Sequence, residues 1–210
     1  MNQLHAKENI IEKIKQGLNR SGKNDSSHEV GLQSIYFNVN DLESVDQFIT
    51  ENSLLGVQVY RCKNDNEFIE AFRNVSKSKA WKSVVCVNPG LKKRLGSPII
   101  YDRGAMYSMD AVITECEYFV ARTGTVVMSS AQPSGRVLPV YSPVHVIVGH
   151  ENQMVNSISE ALEDIKRQYL KEYPSALYFL TGVSSTGDIE KTLVKGVHGP
   201  KEVYIFLIED

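Results

Sequence analysis

Residues 176–182, ALYFLTG, and residues 202–209, EVYIFLIE, are two apolar runs of strand length near the C-terminal end of the sequence. A polar loop, VSSTGD (183–188), a segment with helical spacing, IEKTLVK (189–195), and a turn, GVHGP (196–200), lie between them. We interpret this order as a βαβ unit with parallel strands and a right-handed connection. The loop 183–188 is then expected at the carboxyl edge of the sheet, where open α/β sheets bind ligands.

The same alternation of strand and helix patterns extends toward the N-terminus. Strands are predicted for SIYFNV (34–39) and GVQVYRC (56–62), and each is followed by an asparagine with a glutamate three residues later. In the second case these are Asn64 and Glu67, a pair typical of the N-cap and N3 positions of a helix. The sequence therefore predicts an α/β domain over residues 31–210, with a mainly parallel sheet and flanking helices.

Residues 1–30 are predicted to form an amphipathic helix followed by a linker. The apolar positions that recur at helical spacing are Ile10, Ile11, Ile14 and Leu18. The following segment SGKNDSSHE (21–29) is polar and rich in turn formers. We expect an N-terminal helical arm that packs on the body of the domain or on a second subunit, which would make the protein a homo-oligomer.

Composition and charge narrow the classes of function. Of the 210 residues, 42% are apolar and 23% are charged, as in a typical globular domain. The formal net charge of −2 argues against general nucleic-acid binding, and we interpret the basic run 92–94 as a solvated loop. No apolar run approaches the roughly 20 residues that cross a bilayer, and no signal-peptide pattern opens the sequence. We therefore expect a cytoplasmic protein with neither a membrane nor a nucleic acid as partner.

Cysteine and histidine spacing predicts neither a disulfide framework nor a metal centre. Cys62, Cys86 and Cys116 are widely spaced and lie mostly in apolar runs. His145 and His150 open and close a predicted strand and match no compact metal-binding pattern. We expect no cofactor bound by this chain.

The loop after the strand at 176–182 is the first candidate site. Ser184, Ser185 and Thr186 supply three hydroxyls beside two glycines, so backbone N–H groups and hydroxyls there are able to face an anion. Alternatively, Thr186 or Asp188 simply caps the following helix.

The turn GVHGP is the second candidate site. His198 is a candidate general acid or base, or part of a turn shaped by Gly199 and Pro200. We predict that this turn meets the Ser184–Thr186 loop in one anion site. In a simple βαβ unit the turn would lie at the opposite edge of the sheet, so this convergence requires a short or displaced helix.

Two further loops carry candidate ligand-binding residues. Thr123, Gly124 and Thr125 lie between two predicted strands, where glycine allows a ligand close to the backbone or simply forms a hairpin turn. Arg136 follows Gly135 in a polar loop, and it is either a clamp for a carboxylate or phosphate or an exposed arginine.

Taken together, five motifs resemble the LUD-domain family of lactate-utilization proteins, of the LutC (YkgG) type. In chain order they are ARTGTVV (121–127), LP (138–139), HVIV (145–148), GVSSTGDIE (182–190) and GVHGP (196–200). The resemblance implies a fold of the NagB/RpiA/CoA-transferase-like group, with a ligand cleft at the carboxyl edge. It also implies a role in oxidising L-lactate to pyruvate beside partner proteins that carry iron–sulfur clusters. Arg122 stands where the family usually has an acidic residue, which favours an anionic ligand here.

Three functions follow as hypotheses. The leading one is a non-redox accessory subunit of an L-lactate oxidation system that binds a small anionic ligand. The second is a stand-alone enzyme acting on a phosphorylated or CoA-linked small molecule, CoA-transferase-like or cyclo-ligase-like, for which a nucleophilic carboxylate in the cleft is the feature to seek. The third is a structural assembly module that pairs subunits through the N-terminal helix.

Overall fold

A computed structural model describes residues 11–13, 15, 44–96, 99–100, 108–187, 193–196 and 198–209. The chain divides into a unit of residues 1–39 and a unit of residues 40–210. In the first unit, residues 11–13 and 15 are helical and lie within the predicted amphipathic helix. The predicted strand SIYFNV and the candidate residue Asp188 lie outside the described residues.

The second unit contains twelve described strands and five described α-helices, bounded as follows. The strands are β1 (Gln58–Cys62), β2 (Val84–Cys86), β3 (Ile99–Ile100), β4 (Ala111–Glu115), β5 (Tyr118–Val120), β6 (Thr125–Ser129), β7 (Val144–His150), β8 (Met154–Val155), β9 (Leu177–Leu180), β10 (Ser185–Gly187), β11 (Leu193–Lys195) and β12 (Glu202–Ile208). The helices are α1 (Ser44–Leu54), α2 (Asp65–Ser78), α3 (Pro89–Leu95), α4 (Leu138–Tyr141) and α5 (Ile158–Gln168).

Six of these strands form a wholly parallel sheet in the order β1-β12-β7-β4-β2-β3. The last strand of the chain lies inside this sheet, where Tyr204 of β12 pairs with Gln58 of β1 and Val146 of β7. The predicted α/β class with a mainly parallel sheet is confirmed. All carboxyl ends of these strands therefore share one edge.

Both faces of β12 are buried. Tyr204, Phe206 and Ile208 pack in one apolar cluster, which includes Phe68 of α2. The alternate residues of β12 pack in a second cluster, which includes Phe119 of β5. Because successive side chains of a strand point to opposite faces, the parallel sheet is buried between α2 and a second sheet.

The second sheet has four strands in the order β8-β5-β6-β9. Strand β9 is antiparallel to β6, with Met128 opposite Tyr178. The predicted βαβ unit is therefore wrong, because β9 and β12 lie in different sheets. Residues 193–195 form β11, antiparallel to β10, rather than a helix.

A physical reason for this hairpin lies in the local sequence. A seven-residue helix such as IEKTLVK is marginal in water without strong tertiary support, and short apolar runs do not distinguish helix from strand. The β-branched Val194 favours extended backbone. Pairing of Ser185 with Lys195 instead satisfies the backbone groups within a two-stranded ladder.

The predicted helix start at Asn64 is confirmed, whereas the predicted pair Asn40 and Glu43 lies outside the described residues. The Asn64 side chain accepts hydrogen bonds from the N–H groups of Asn66 and Glu67, as an N-cap does, and Glu67 accepts one from the N–H of Lys63, the residue before the cap. The basic run 92–94, predicted as a loop, lies in α3 instead, since Asn88 caps that helix at Leu91. Within the described residues, no helix is both long and apolar enough to cross a membrane.

Candidate functional site

The two C-terminal turns meet. The N–H of Ser184 donates a hydrogen bond to the carbonyl oxygen of Pro200 over 2.9 Å, and the N–H of Gly196 donates one to the carbonyl of Ser184, also over 2.9 Å. The turns also approach closely at Gly199, where a Cβ atom would lie 3.2 Å from Cβ of Ser184. The predicted convergence is thus present, but a β-hairpin produces it and not a displaced helix.

Two cavities open beside this junction. The first, here called the β9-side cavity, has a volume of about 440 Å³ and is lined by residues 177–184 and 198–200 together with Met128 and Val140. The second, the Lys201-side cavity, measures about 460 Å³ and is lined by residues 140–143, Gly196, His198, Gly199 and Lys201. Val140, His198 and Gly199 line both cavities, which therefore share a wall.

Lys201 is a site residue that the sequence analysis missed. Its backbone N–H donates to the carbonyl of Pro143 over 2.8 Å, which fixes the start of β12. Its side chain lies across Gly196, whose φ of 80° belongs to the left-handed region. The signal was available, since a cation directly follows the GVHGP turn.

The other loop residues contribute unequally. Ser184 is half-buried in the β9-side cavity, whereas Ser185 is exposed and its hydroxyl donates to the carbonyl of Val183 over 3.4 Å. Thr186 lies in β10, opposite Val194, so the alternative in which Thr186 caps a helix is wrong.

The Thr123–Thr125 turn reaches the β9-side cavity through a chain of hydroxyls. The hydroxyl oxygens of Thr123 and Thr125 lie 2.7 Å apart, and those of Thr125 and Thr181 lie 2.8 Å apart. Thr181 lines the cavity. Gly124 itself faces Asn52 of α1, where a Cβ atom would lie 2.9 Å from Nδ2, so this glycine serves a hairpin turn packed on a helix.

Arg136 lies apart from these residues. It is exposed, and its guanidinium donates to the hydroxyl of Ser175. Ser175 precedes β9 whereas Thr181 follows it, so an extended segment of roughly 20 Å separates the two positions. The structure does not bring Arg136 together with the C-terminal turns.

A further pocket lies at the carboxyl edge of the parallel sheet. Its volume is about 450 Å³, and its lining residues are Leu91, Arg94, Glu115, Cys116, Val148, Gly149, His150, Asn152 and Gln153. Glu115 ends β4, and its Oε2 accepts a hydrogen bond from Nδ2 of Asn88, the cap of α3. Burial raises the pKa of Glu115, while the positive charge of Arg94 acts in the opposite direction.

His150 and Gln153 hold each other in this pocket. The His150 side chain accepts a hydrogen bond from the backbone N–H of Gln153. The Gln153 side chain accepts from the N–H of His150 over 2.7 Å and donates to the carbonyls of Cys116 and Glu117 over 2.8 and 3.1 Å. Arg94 is paired with Asp65. The sequence analysis missed this pocket, although Glu115 stands at the end of an apolar strand.

Comparison with known proteins places the chain beside lactate-utilization proteins. A profile of the LUD domain matches residues 100–208, just over half of the chain. "Lactate utilization protein C" of Deinococcus radiodurans is 33% identical over 47% of this chain and 46% of its own length, and that of Bacillus subtilis is 34% identical over 47% and 42%. The matches thus span less than half the length of these two relatives.

Two further comparisons extend over most of the chain. An uncharacterized protein of Neisseria meningitidis serogroup B is 23% identical over 98% of this chain and 94% of its own length. A crystal structure of a DUF162 family protein from Deinococcus radiodurans superposes with a TM-score of 0.61 at 19% identity, and the match covers 80% of this chain and 99% of that one. At that identity the superposition shows a shared fold alone. Because the LUD profile covers just over half of the chain, from the end of β3 to β12, and includes both C-terminal turns, the chain belongs to the LUD-domain family.

Proposed function

We propose that this protein is a non-redox accessory component of an L-lactate utilization system and that it binds a small anionic ligand between its two C-terminal turns. The name shared by the curated relatives from Deinococcus radiodurans and Bacillus subtilis supports the metabolic role. The geometry of the turns supports the ligand.

One observation carries the ligand-binding part. The hydrogen bond from Ser184 to Pro200 holds together two turns whose residues Ser184, His198 and Lys201 line two adjoining cavities; their side chains carry a hydroxyl, an imidazole and an ammonium group. Among the described residues that line these two cavities, none is Asp or Glu. Donors and cations without opposing carboxylates favour an anion.

The redox chemistry in this proposal belongs to partner proteins in the cytoplasm. The thiols of Cys62, Cys86 and Cys116 are all buried, and they come from separate strand ends. Clusters need several cysteine thiolates directed at one point. We therefore assign the iron–sulfur centres of the system to the partners.

Genetic complementation tests the proposal. A strain that lacks the gene and any paralogue is expected to grow poorly on L-lactate and normally on glucose. The wild-type gene should restore growth, whereas the double variant His198→Gln/Lys201→Gln should restore it poorly at equal protein level. Lys171→Gln, an exposed lysine after α5, is the matched control. Unimpaired growth of the deletion strain on lactate would falsify the metabolic role.

A second function, a stand-alone enzyme acting on a phosphorylated or CoA-linked small molecule, is favoured by Glu115. This half-buried carboxylate ends a central strand and faces a pocket, which is the feature that such an enzyme needs. Incubation with a panel of acyl-CoA thioesters, followed by mass spectrometry of the intact protein, tests this function. A covalent adduct that Glu115→Gln abolishes and Glu163→Gln retains would support an enzyme. If neither an adduct nor turnover is detected, the enzyme function is refuted and only the accessory role remains.

A further inference from the structure

The two cavities beside the C-terminal turns differ in chemistry. Apolar residues are prominent among those that line the β9-side cavity, namely Met128, Val140, Leu177, Phe179 and Leu180. The Lys201-side cavity is lined by Lys201, whose side chain ends in a positively charged ammonium group. His198 stands on the shared wall and is exposed toward solvent. A molecule that extends across His198 therefore meets a cation at one end and apolar surface at the other.

Exposed apolar side chains gather at this cleft. Phe179 is 44% exposed, Val140 41% and Tyr141 67%, and each of the three lines one or both cavities. Single exposed apolar residues are ordinary on a protein surface, but a group of them around concave cavities marks a binding surface. The cleft can therefore bind a ligand that has an apolar part as well as a charged group.

Size points in the same direction. Lactate has six non-hydrogen atoms and fills at most about 180 Å³ if each atom is given the volume of a water molecule. Either cavity is more than twice as large. Lactate alone would leave most of the cleft filled with water.

We propose that the cleft binds an amphipathic anion, in which a carboxylate or phosphate lies at His198 and Lys201 and an apolar body covers Phe179 and Val140. The inference rests on the proposed function, since it specifies the ligand class of the same site. The affinity depends chiefly on the apolar body. Lys201 and His198 are solvent-exposed, and exposed ion pairs contribute little to affinity.

A series of n-alkyl carboxylates tests this inference by isothermal titration calorimetry. We expect the affinity to rise by about fourfold for each methylene from propionate to octanoate, the gain that burial of one methylene gives. Octyl phosphate compared with octanoate shows which anionic group the cleft prefers. 1-Octanol, with the same chain and no charge, is expected to bind about threefold more weakly, the loss that an exposed ion pair gives.

Two variants distinguish the contributions of the apolar end and the charged end of the ligand to the affinity. Phe179→Ser should weaken octanoate about tenfold and leave propionate unchanged, whereas Lys201→Gln should weaken both. The matched controls are Leu170→Ser, a leucine 79% exposed after α5, and Lys171→Gln. Val140→Ser replaces Phe179→Ser if the latter fails to fold.

The outcomes distinguish the inference from the proposed function. If propionate binds as tightly as octanoate, or octanol as tightly as octanoate, the amphipathic ligand class is wrong. Anion binding is then still supported if Lys201→Gln weakens carboxylate binding, and it is refuted if this variant binds carboxylates as the wild type does. If no carboxylate or phosphate of any length binds, the inference and the ligand-binding part of the proposed function both fail.

Discussion

The Ser184 N–H and the Pro200 carbonyl oxygen lie 2.9 Å apart, and this hydrogen bond joins the exit of β9 to the entry of β12. It links the two sheets of the domain through backbone alone. Because this bond fixes the distance between the two turns, any side chain added between them must fit into the space that is already there.

Gly199→Ala is expected to strain this junction. The new Cβ atom would lie 3.2 Å from Cβ of Ser184 and 3.5 Å from its hydroxyl, so we expect a loss of about 1 kcal/mol from overpacking. Urea denaturation of Gly199→Ala, Ser184→Gly and the double variant measures the coupling. Removal of the Ser184 side chain should relieve part of the strain, whereas strictly additive losses would show that the two residues do not press on each other.

Gly124→Ala is expected to cost more stability than Gly135→Ala. Both glycines have left-handed backbone, with φ of 63° and 59°, so both variants carry a conformational penalty of roughly 1–2 kcal/mol. Only at Gly124 does a Cβ atom also meet neighbours, Asn52 at 2.9 Å and Glu51 at 3.1 Å, since nothing lies within 4 Å of that position at Gly135. The difference between the two unfolding free energies isolates the contact between the hairpin turn and α1. Equal losses would refute that contact.

His145 is expected to make the fold sensitive to acid. Burial lowers the pKa of this imidazole to about 3, and its Nε2 lies 2.8 Å from the hydroxyl of Thr114. The unfolded chain binds a proton at a pKa of about 6.5 and the folded chain does not, so stability is complete above pH 6.5 and falls toward pH 3. His145→Gln keeps a polar group without this titration. Urea denaturation between pH 7.5 and 4.5 should therefore show a shallower pH dependence for the variant, and identical slopes would contradict the assignment.

Tyr169→Phe is expected to loosen the end of α5. Oε1 of the buried Glu117 accepts hydrogen bonds from the Tyr169 hydroxyl over 2.9 Å and from the Ser129 hydroxyl over 2.5 Å. Loss of one donor to a buried carboxylate should lower the free energy of unfolding by about 1.5–3 kcal/mol. Tyr173→Phe, which alters an exposed ring close by, is the control. If both variants unfold at the same urea concentration, the contact does not stabilise the helix.

Patterns that depend on burial were predictable from sequence. The apolar runs of β7 and β12, which are buried on both faces, were both predicted as strands of the domain. The Asn64 cap depends on two residue types at a fixed spacing and needs no tertiary contact. These local rules also set the class of fold.

The connection from β9 to β12 was not predictable in the same way. Its segment is short and partly apolar, and the partner strand rather than the periodicity decides its conformation. The residues of the candidate site also fall into those that the sequence predicted and those that it did not. Sequence pointed to Ser184 and His198 because they lie in motif loops. Lys201 and Glu115 lie directly beside a motif turn and at the end of an apolar strand, but only the structure shows which cavities they line.

The three buried thiols have a practical consequence. Burial raises the pKa of Cys62 and Cys86 to about 11 and that of Cys116 well above its usual value, so all three resist alkylation while the chain is folded. Cys62 and Cys86 end β1 and β2, and Cys116 directly follows β4. The rate at which a thiol reagent modifies each cysteine, followed by mass spectrometry, therefore reports local unfolding in the wild-type protein. Each of the three rates reports how often one strand end at the carboxyl edge opens to solvent.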